Sequence, residues 1–149
     1  MSEQKVIKFK AWNKETKEMM QVDQITLAHN ATRFGTGIMD SHNDLHSMID
    51  IELMQFTGLK DKNGKEIYEG DVVRWDDASV GSYWRAAEVI YEPGHFTFRT
   101  IPKLCVNCFK RERHDFKMGS FAYCPDTANY GNVMEVIGNI YENPELITQ

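Results

Sequence analysis

Between Phe56 and Val73 the order of turn-forming and apolar residues leaves the backbone little choice. Asp61-Lys62-Asn63-Gly64-Lys65 is a turn, because Asn-Gly favours positive φ and glycine enters that region without steric cost. Ile67 and Tyr68 follow as an apolar pair able to anchor the segment to a core. Glu69-Gly70-Asp71 is a second turn, and it launches Val72-Val73-Arg74-Trp75 as a β-branched, aromatic strand. A Gly-Asp turn leading into a Val-rich strand is common where the first strand enters a small SH3-like barrel.

Strand signals with turn punctuation recur along the chain. Lys5 to Trp12 alternates, with Ile7, Phe9 and Ala11 on one side and Lys8, Lys10 and Trp12 on the other, as a half-buried strand does. Asn13 to Lys17 is a turn and Glu18 to Val22 the return strand of an N-terminal hairpin, which Ile25-Thr26-Leu27 could extend. Ala31 to Asn43 has no period and reads as loop. Met48 to Phe56 suits a strand or a short helix, and the alternation of Ile49, Ile51 and Leu53 favours strand. Val72 to Asp76, Trp84 to Tyr91 and Phe96 to Thr100 follow as strands, the last two joined by Pro93-Gly94. Lys103 to Gly131 is irregular and polar, and Val133 to Tyr141 closes the domain. The expected fold is mainly β (α+β). An N-terminal β-hairpin region, residues 1–57, packs on a C-terminal SH3-like open β-barrel, residues 58–149, with an irregular insertion near 101–131.

Three segments taken in order resemble the YopX family of phage and prophage proteins. They are Lys8-Phe9-Lys10-Ala11-Trp12-Asn13-Lys14-Glu15-Thr16-Lys17-Glu18-Met19, the central stretch Phe56 to Val73, and Glu135-Val136-Ile137-Gly138-Asn139-Ile140-Tyr141-Glu142-Asn143-Pro144-Glu145-Leu146. The resemblance leaves out Ala28 to Ile51 and Thr100 to Gly131. It implies a phage gene product working in a bacterial cytosol, and it carries over no activity, substrate or catalytic residue.

Composition narrows the classes further. At 149 residues and 42% apolar content the chain can bury a real core as one domain or two small ones. A net charge of −5 argues against coating nucleic acid over the whole surface, yet leaves room for a local basic patch. No apolar run approaches membrane-spanning length, and the N-terminus lacks the apolar core of a signal peptide. Three cysteines, an odd number, fit a reducing compartment better than a disulfide framework. A soluble, cytoplasmic protein is expected, with no membrane contact.

Three constellations could carry chemistry. Cys105-Val106-Asn107-Cys108 sets two thiolates on one tight turn at a spacing suited to zinc, and His114 and Cys124 could complete a structural Cys₃His site. Against it, the later ligands have no standard spacing, and reduced cysteines packed as small hydrophobes account for the same residues. No cofactor is therefore expected, structural zinc being the alternative. Asp40, His42, Asp44 and His46 alternate as a metal or acid–base cluster would on one face of an extended segment. The interleaved Ser41, Asn43 and Ser47 equally make a solvated turn, which is the preferred reading. The third is basic and aromatic: Arg99, Lys103, Phe109, Lys110, Arg111, Arg113, His114, Phe116 and Lys117, opposed only by Glu112 and Asp115. Its cations would neutralise phosphates and its rings would stack on unpaired bases; a solvated loop pinned by its phenylalanines is the competing reading.

No catalytic triad or phosphate-binding glycine loop can be assigned, so the expected activity is not enzymatic. The expected role is a binding module engaging a host or phage macromolecule, protein or nucleic acid, through Arg99, Lys103, Phe109, Lys110, Arg111, Arg113 and Lys117. Trp12 and Trp75 are further candidates for docking. A self-assembling homo-oligomer, built on strand edges and the methionine-rich segment, is the alternative, and a metal-dependent enzyme using the His/Asp cluster stands behind both.

Overall fold

The computed structural model describes residues 7–26, 37–77, 83–104 and 134–148. The chain divides into two compact units, Met1–Phe56 and Thr57–Gln149.

In the first unit, β1 (Phe9–Asn13) and β2 (Glu18–Thr26) form the expected antiparallel hairpin, with Ala11 opposite Met20 and Trp12 opposite Met19. Asn13 builds the turn. Its side-chain oxygen accepts the N–H groups of Glu15 and Thr16 at 2.9 and 3.1 Å, and Lys17 takes the left-handed position at φ 60°. β3 (Gly37–Asp40), β4 (Leu45–Ser47) and β5 (Ile51–Lys60) complete the unit, in the order β4-β3-β2-β1-β5.

Two sequence expectations change here. Part of the expected loop is strand β3, where Ile38 is fully buried. Four residues are too few to show a period, and pairing with β2 holds them instead. The alternation also fails at its ends. Ile7 and Ile49 are exposed, whereas Ala11 and Trp12, on opposite faces of β1, are both buried. The core of this unit is Ala11, Ile38 and Ile51, with Met20, Val22, Ile25, Met48 and Leu53 packed against it.

In the second unit, β5 continues past Phe56 and turns back through Asp61–Lys65 into β6 (Glu66–Tyr68). The hydroxyl of Thr57 donates to the Ile67 carbonyl at 2.8 Å. The Gly70 turn then starts β7 (Asp71–Asp77), followed by β8 (Tyr83–Glu92), β9 (His95–Thr100) and β10 (Glu135–Asn139). These last four form one antiparallel sheet in the order β10-β7-β8-β9. Val73, Trp75, Ala87 and Val89 line one face and pack with Ile67 and Met134, while Phe96, Phe98, Leu59 and Val136 flank them. Burial of each large apolar side chain in such a cluster contributes about 1.5–3 kcal/mol.

Among the described residues this sheet is open, since β9 pairs only with β8 and β10 only with β7, whereas a closed barrel gives every strand two neighbours. Helix is limited there to 3₁₀ turns at Pro102–Leu104 and Pro144–Leu146, so the fold is mainly β. No helix among the described residues is long and apolar enough to cross a membrane.

Candidate functional site

Each unit contains the same aspartate-centred turn. In the first, Asp40 Oδ1 accepts the N–H groups of His42 and Asp44 at 2.8 and 3.0 Å, and its carbonyl accepts that of Asn43 at 3.1 Å. In the second, Asp61 Oδ1 accepts the N–H groups of Asn63 and Lys65 at 2.8 and 2.9 Å, and its carbonyl accepts that of Gly64 at 2.9 Å. The left-handed residue is Asn43 at φ 65° in one and Gly64 at φ 83° in the other, the two residue types best suited to it.

What differs is the second carboxylate oxygen. Asp40 Oδ2 pairs with His46 Nε2 at 2.9 Å. An ionised carboxylate only accepts, so the imidazole nitrogen donates. That contact, followed by the Asp44 N–H, holds the Asp40 carboxyl down at about 2. The alternating His/Asp segment is thus no extended ligand row. It wraps round Asp40, whose two oxygens are both engaged. Among the described residues no three His, Cys, Asp or Glu side chains converge as a metal ion would require.

Asp61 Oδ2 reaches further along the chain and accepts the N–H of Val136 at 3.1 Å. Burial alone would raise this carboxyl; the N–H groups of Val136, Lys65 and Asn63 outweigh it and hold the group below its ordinary value. The same turn donates the Lys62 N–H to the Met134 carbonyl at 2.8 Å. Glu135, next along, bridges Lys62 Nζ at 2.8 Å and Arg74 Nη2 at 3.3 Å, and these two cations depress its carboxyl.

The far end of β10 is held by the second turn of the central stretch. Asp71 is buried; its Oδ2 accepts the Tyr68 N–H at 2.8 Å and its Oδ1 the side-chain amide of Asn139 at 3.0 Å. The Ile140 N–H donates to the Gly70 carbonyl at 2.9 Å. Tyr68 lies wholly inside, its hydroxyl donating to Glu66 at 2.8 Å, and burial followed by that carboxylate pushes its pKa above the ordinary phenol range. The sequence alone showed Asp61 and Asp71 only as turn residues. The one local signal of the larger role is a carboxylate placed two residues before an Asn-Gly pair.

Of the basic–aromatic candidates, Arg99 and Lys103 are described. Arg99 extends into solvent from β9 and pairs with the buried Glu88 of β8 at 3.0 Å. Lys103 Nζ donates to the carbonyls of Glu145 and Thr148, which ties the turn after β9 to the C-terminal segment. Phe109, Lys110, Arg111, Arg113 and Lys117 lie outside the described residues, as do the zinc candidates Cys105, Cys108, His114 and Cys124. Trp12 and Trp75, considered above for docking, are buried at 9% and 7% exposure. Trp75 instead packs on Phe98 of β9, two strands away, with ring centroids 5.8 Å apart, and Tyr91 packs on Phe96 at 5.4 Å as a cross-strand pair.

Residues 8–148 match the family model described as YopX protein. That match includes Ala28 to Ile51 and Thr100 to Gly131, which the resemblance read from the sequence had left out. No curated protein matches the chain. Among solved structures it is similar to protein EF1440 from Enterococcus faecalis, at 27% identity over 96% of this chain and 99% of that one, with a TM-score of 0.59. The three segments read from the sequence are the β1–β2 hairpin, the two aspartate turns flanking β6, and the strand those turns hold; with the match over nearly the whole length, the chain belongs to the YopX family.

Proposed function

We propose that this protein is a non-enzymatic binding module of a phage or prophage, acting in the bacterial cytosol on a protein or nucleic-acid partner. The contact surface is the basic–aromatic stretch Arg99, Lys103, Phe109, Lys110, Arg111, Arg113 and Lys117. The observation that carries this reading is how the stretch begins. Glu88 holds Arg99, and the C-terminal carbonyls of Glu145 and Thr148 hold Lys103, so its first two cations are tied to the folded second unit. The cations that follow, Lys110, Arg111, Arg113 and Lys117, meet only Glu112 and Asp115 in sequence, inside a chain of net charge −5. Phosphate or carboxylate groups on a partner are the natural complement. The buried acids Asp40, Asp61, Asp71 and Glu88 meanwhile each hold a turn, a strand or a cation.

Affinity capture of the tagged protein from a phage-carrying host, with and without nuclease, tests the proposal. A stoichiometric partner, or nuclease-sensitive nucleic acid, supports it. The combined change of Lys110, Arg111 and Arg113 to Ala should abolish that recovery and the salt-dependent retention on heparin. Unchanged binding would remove the stretch as the surface. This reading includes no cofactor; stoichiometric zinc in chelator-free protein would instead favour the structural site of Cys105, Cys108, His114 and Cys124.

Self-assembly is the second reading. It is favoured by the edge strand β4, where Leu45 is 50% exposed, and by Ile49 just beyond it at 82%. Light scattering that returns the monomer mass would end it.

A further inference from the structure

Asn63-Gly64 is the one Asn-Gly pair in the chain, and it occupies the exposed crest of the turn that holds β10. Such a pair is chemically labile. Once the Gly64 amide nitrogen loses its proton to base, it can attack Cγ of Asn63. The N–Cγ bond forms, the Cγ–Nδ2 bond breaks, and the side-chain nitrogen leaves as ammonia with the protons it needs. The five-membered succinimide then adds water at either carbonyl and opens to aspartate or isoaspartate. Glycine is the most permissive follower because it has no side chain to hinder the attack.

The folded turn opposes that first step at three places. The Gly64 N–H, whose proton must leave, is held on the Asp61 carbonyl at 2.9 Å. Asn63 and Lys65 on either side have their own N–H groups on Asp61 Oδ1 at 2.8 and 2.9 Å, which fixes the backbone rotation that ring closure requires. The negative charge of Asp61 beside the amide also disfavours its deprotonation. Space does not protect it, because nothing lies within 4 Å of the position a Gly64 side chain would take.

We propose that Asn63 is the deamidation site of this protein and that Asp61 sets its rate by holding the turn closed. Modification then follows opening of the turn. An isoaspartate adds a backbone carbon inside the loop and breaks the spacing that lets Asp61 hold Asn63, Lys65 and Val136 together. The modified turn therefore releases β10 at the contacts Asp61–Val136 and Lys62–Met134.

The test is timed incubation at mildly alkaline pH, read by peptide mapping and by enzymatic detection of isoaspartate. The folded protein is compared with the same chain unfolded in urea and with Asp61→Ala under folding conditions. Isoaspartate should form at Asn63, roughly tenfold or more slowly in the folded wild type than in the unfolded chain, because only opened molecules react. Asp61→Ala, which removes the acceptor of the Asn63 and Lys65 N–H groups, should approach the unfolded rate; if that variant does not fold, low urea that leaves the fold intact should accelerate the wild type toward it. Modification chiefly at another asparagine would overturn the site. Equal folded and unfolded rates would overturn the role of Asp61.

Discussion

The carboxylate of Asp61 accepts the backbone N–H of Val136, a contact across 75 residues of sequence. One side chain thereby closes its own turn and fixes the strand that ends the fold. This joins the central stretch physically to the C-terminal one, since the strand of the second is seated on the turn of the first.

Replacing Asp61 with Ala should therefore act as a fold-level change rather than the loss of a surface turn. Three backbone N–H groups, of Asn63, Lys65 and Val136, lose their acceptor. A cost of about 2–4 kcal/mol is expected, read as a lower urea midpoint. A shift of a few tenths would show that water replaces the carboxylate and that the clamp is unimportant.

Acid should loosen the first unit through Asp40. Its carboxyl lies at about 2 in the folded protein against an ordinary 3.8. A lowered folded value means the contribution is complete above the unfolded value and is lost as pH falls through the folded one, here from about 4 to about 2. Asp61 and Glu135 are shifted the same way and add to the acid limb. Asp40→Asn should flatten part of that limb in thermal melts across this window. Parallel curves for the variant and the wild type would refute the assignment.

Gly138→Ala tests the crowding behind β10. A Cβ there would come within 2.7 Å of Asn143 Oδ1, which accepts the Asn139 N–H, and within 2.6 Å of Leu146 Cδ1. Leu146 can rotate away; Asn143 moves only by giving up its hydrogen bond. We expect a loss of about 1–3 kcal/mol in chemical denaturation.

Tyr68 should stay un-ionised while the protein is folded, because burial and Glu66 both oppose the phenolate. Alkaline titration at about 295 nm should show the same absorbance rise for Tyr68→Phe as for the wild type up to about pH 11, provided both remain folded. A smaller rise in the variant would mean that Tyr68 is reached by solvent.

Local chemistry was readable wherever a few adjacent residues decide the backbone. Asn13, Asn63-Gly64, Gly70 and Pro93-Gly94 mark turns by their own conformational preferences, and the alternating or β-branched runs between them favoured strands. The membership of the chain's family was legible from the same stretches. Where a partner decides, the sequence was silent. β3 is a strand because β2 lies beside it, and Trp12 and Trp75 are inside because other residues cover them. Asp40 and Asp61 show the division most clearly. Their sequences determined the same turn twice, since an aspartate's side chain reaches the N–H groups two and four residues on once the chain turns there. Only tertiary structure decided that the remaining oxygen meets a neighbouring histidine in one case and a distant strand in the other, because a hydrogen bond depends on distance in space and carries no trace of separation along the chain.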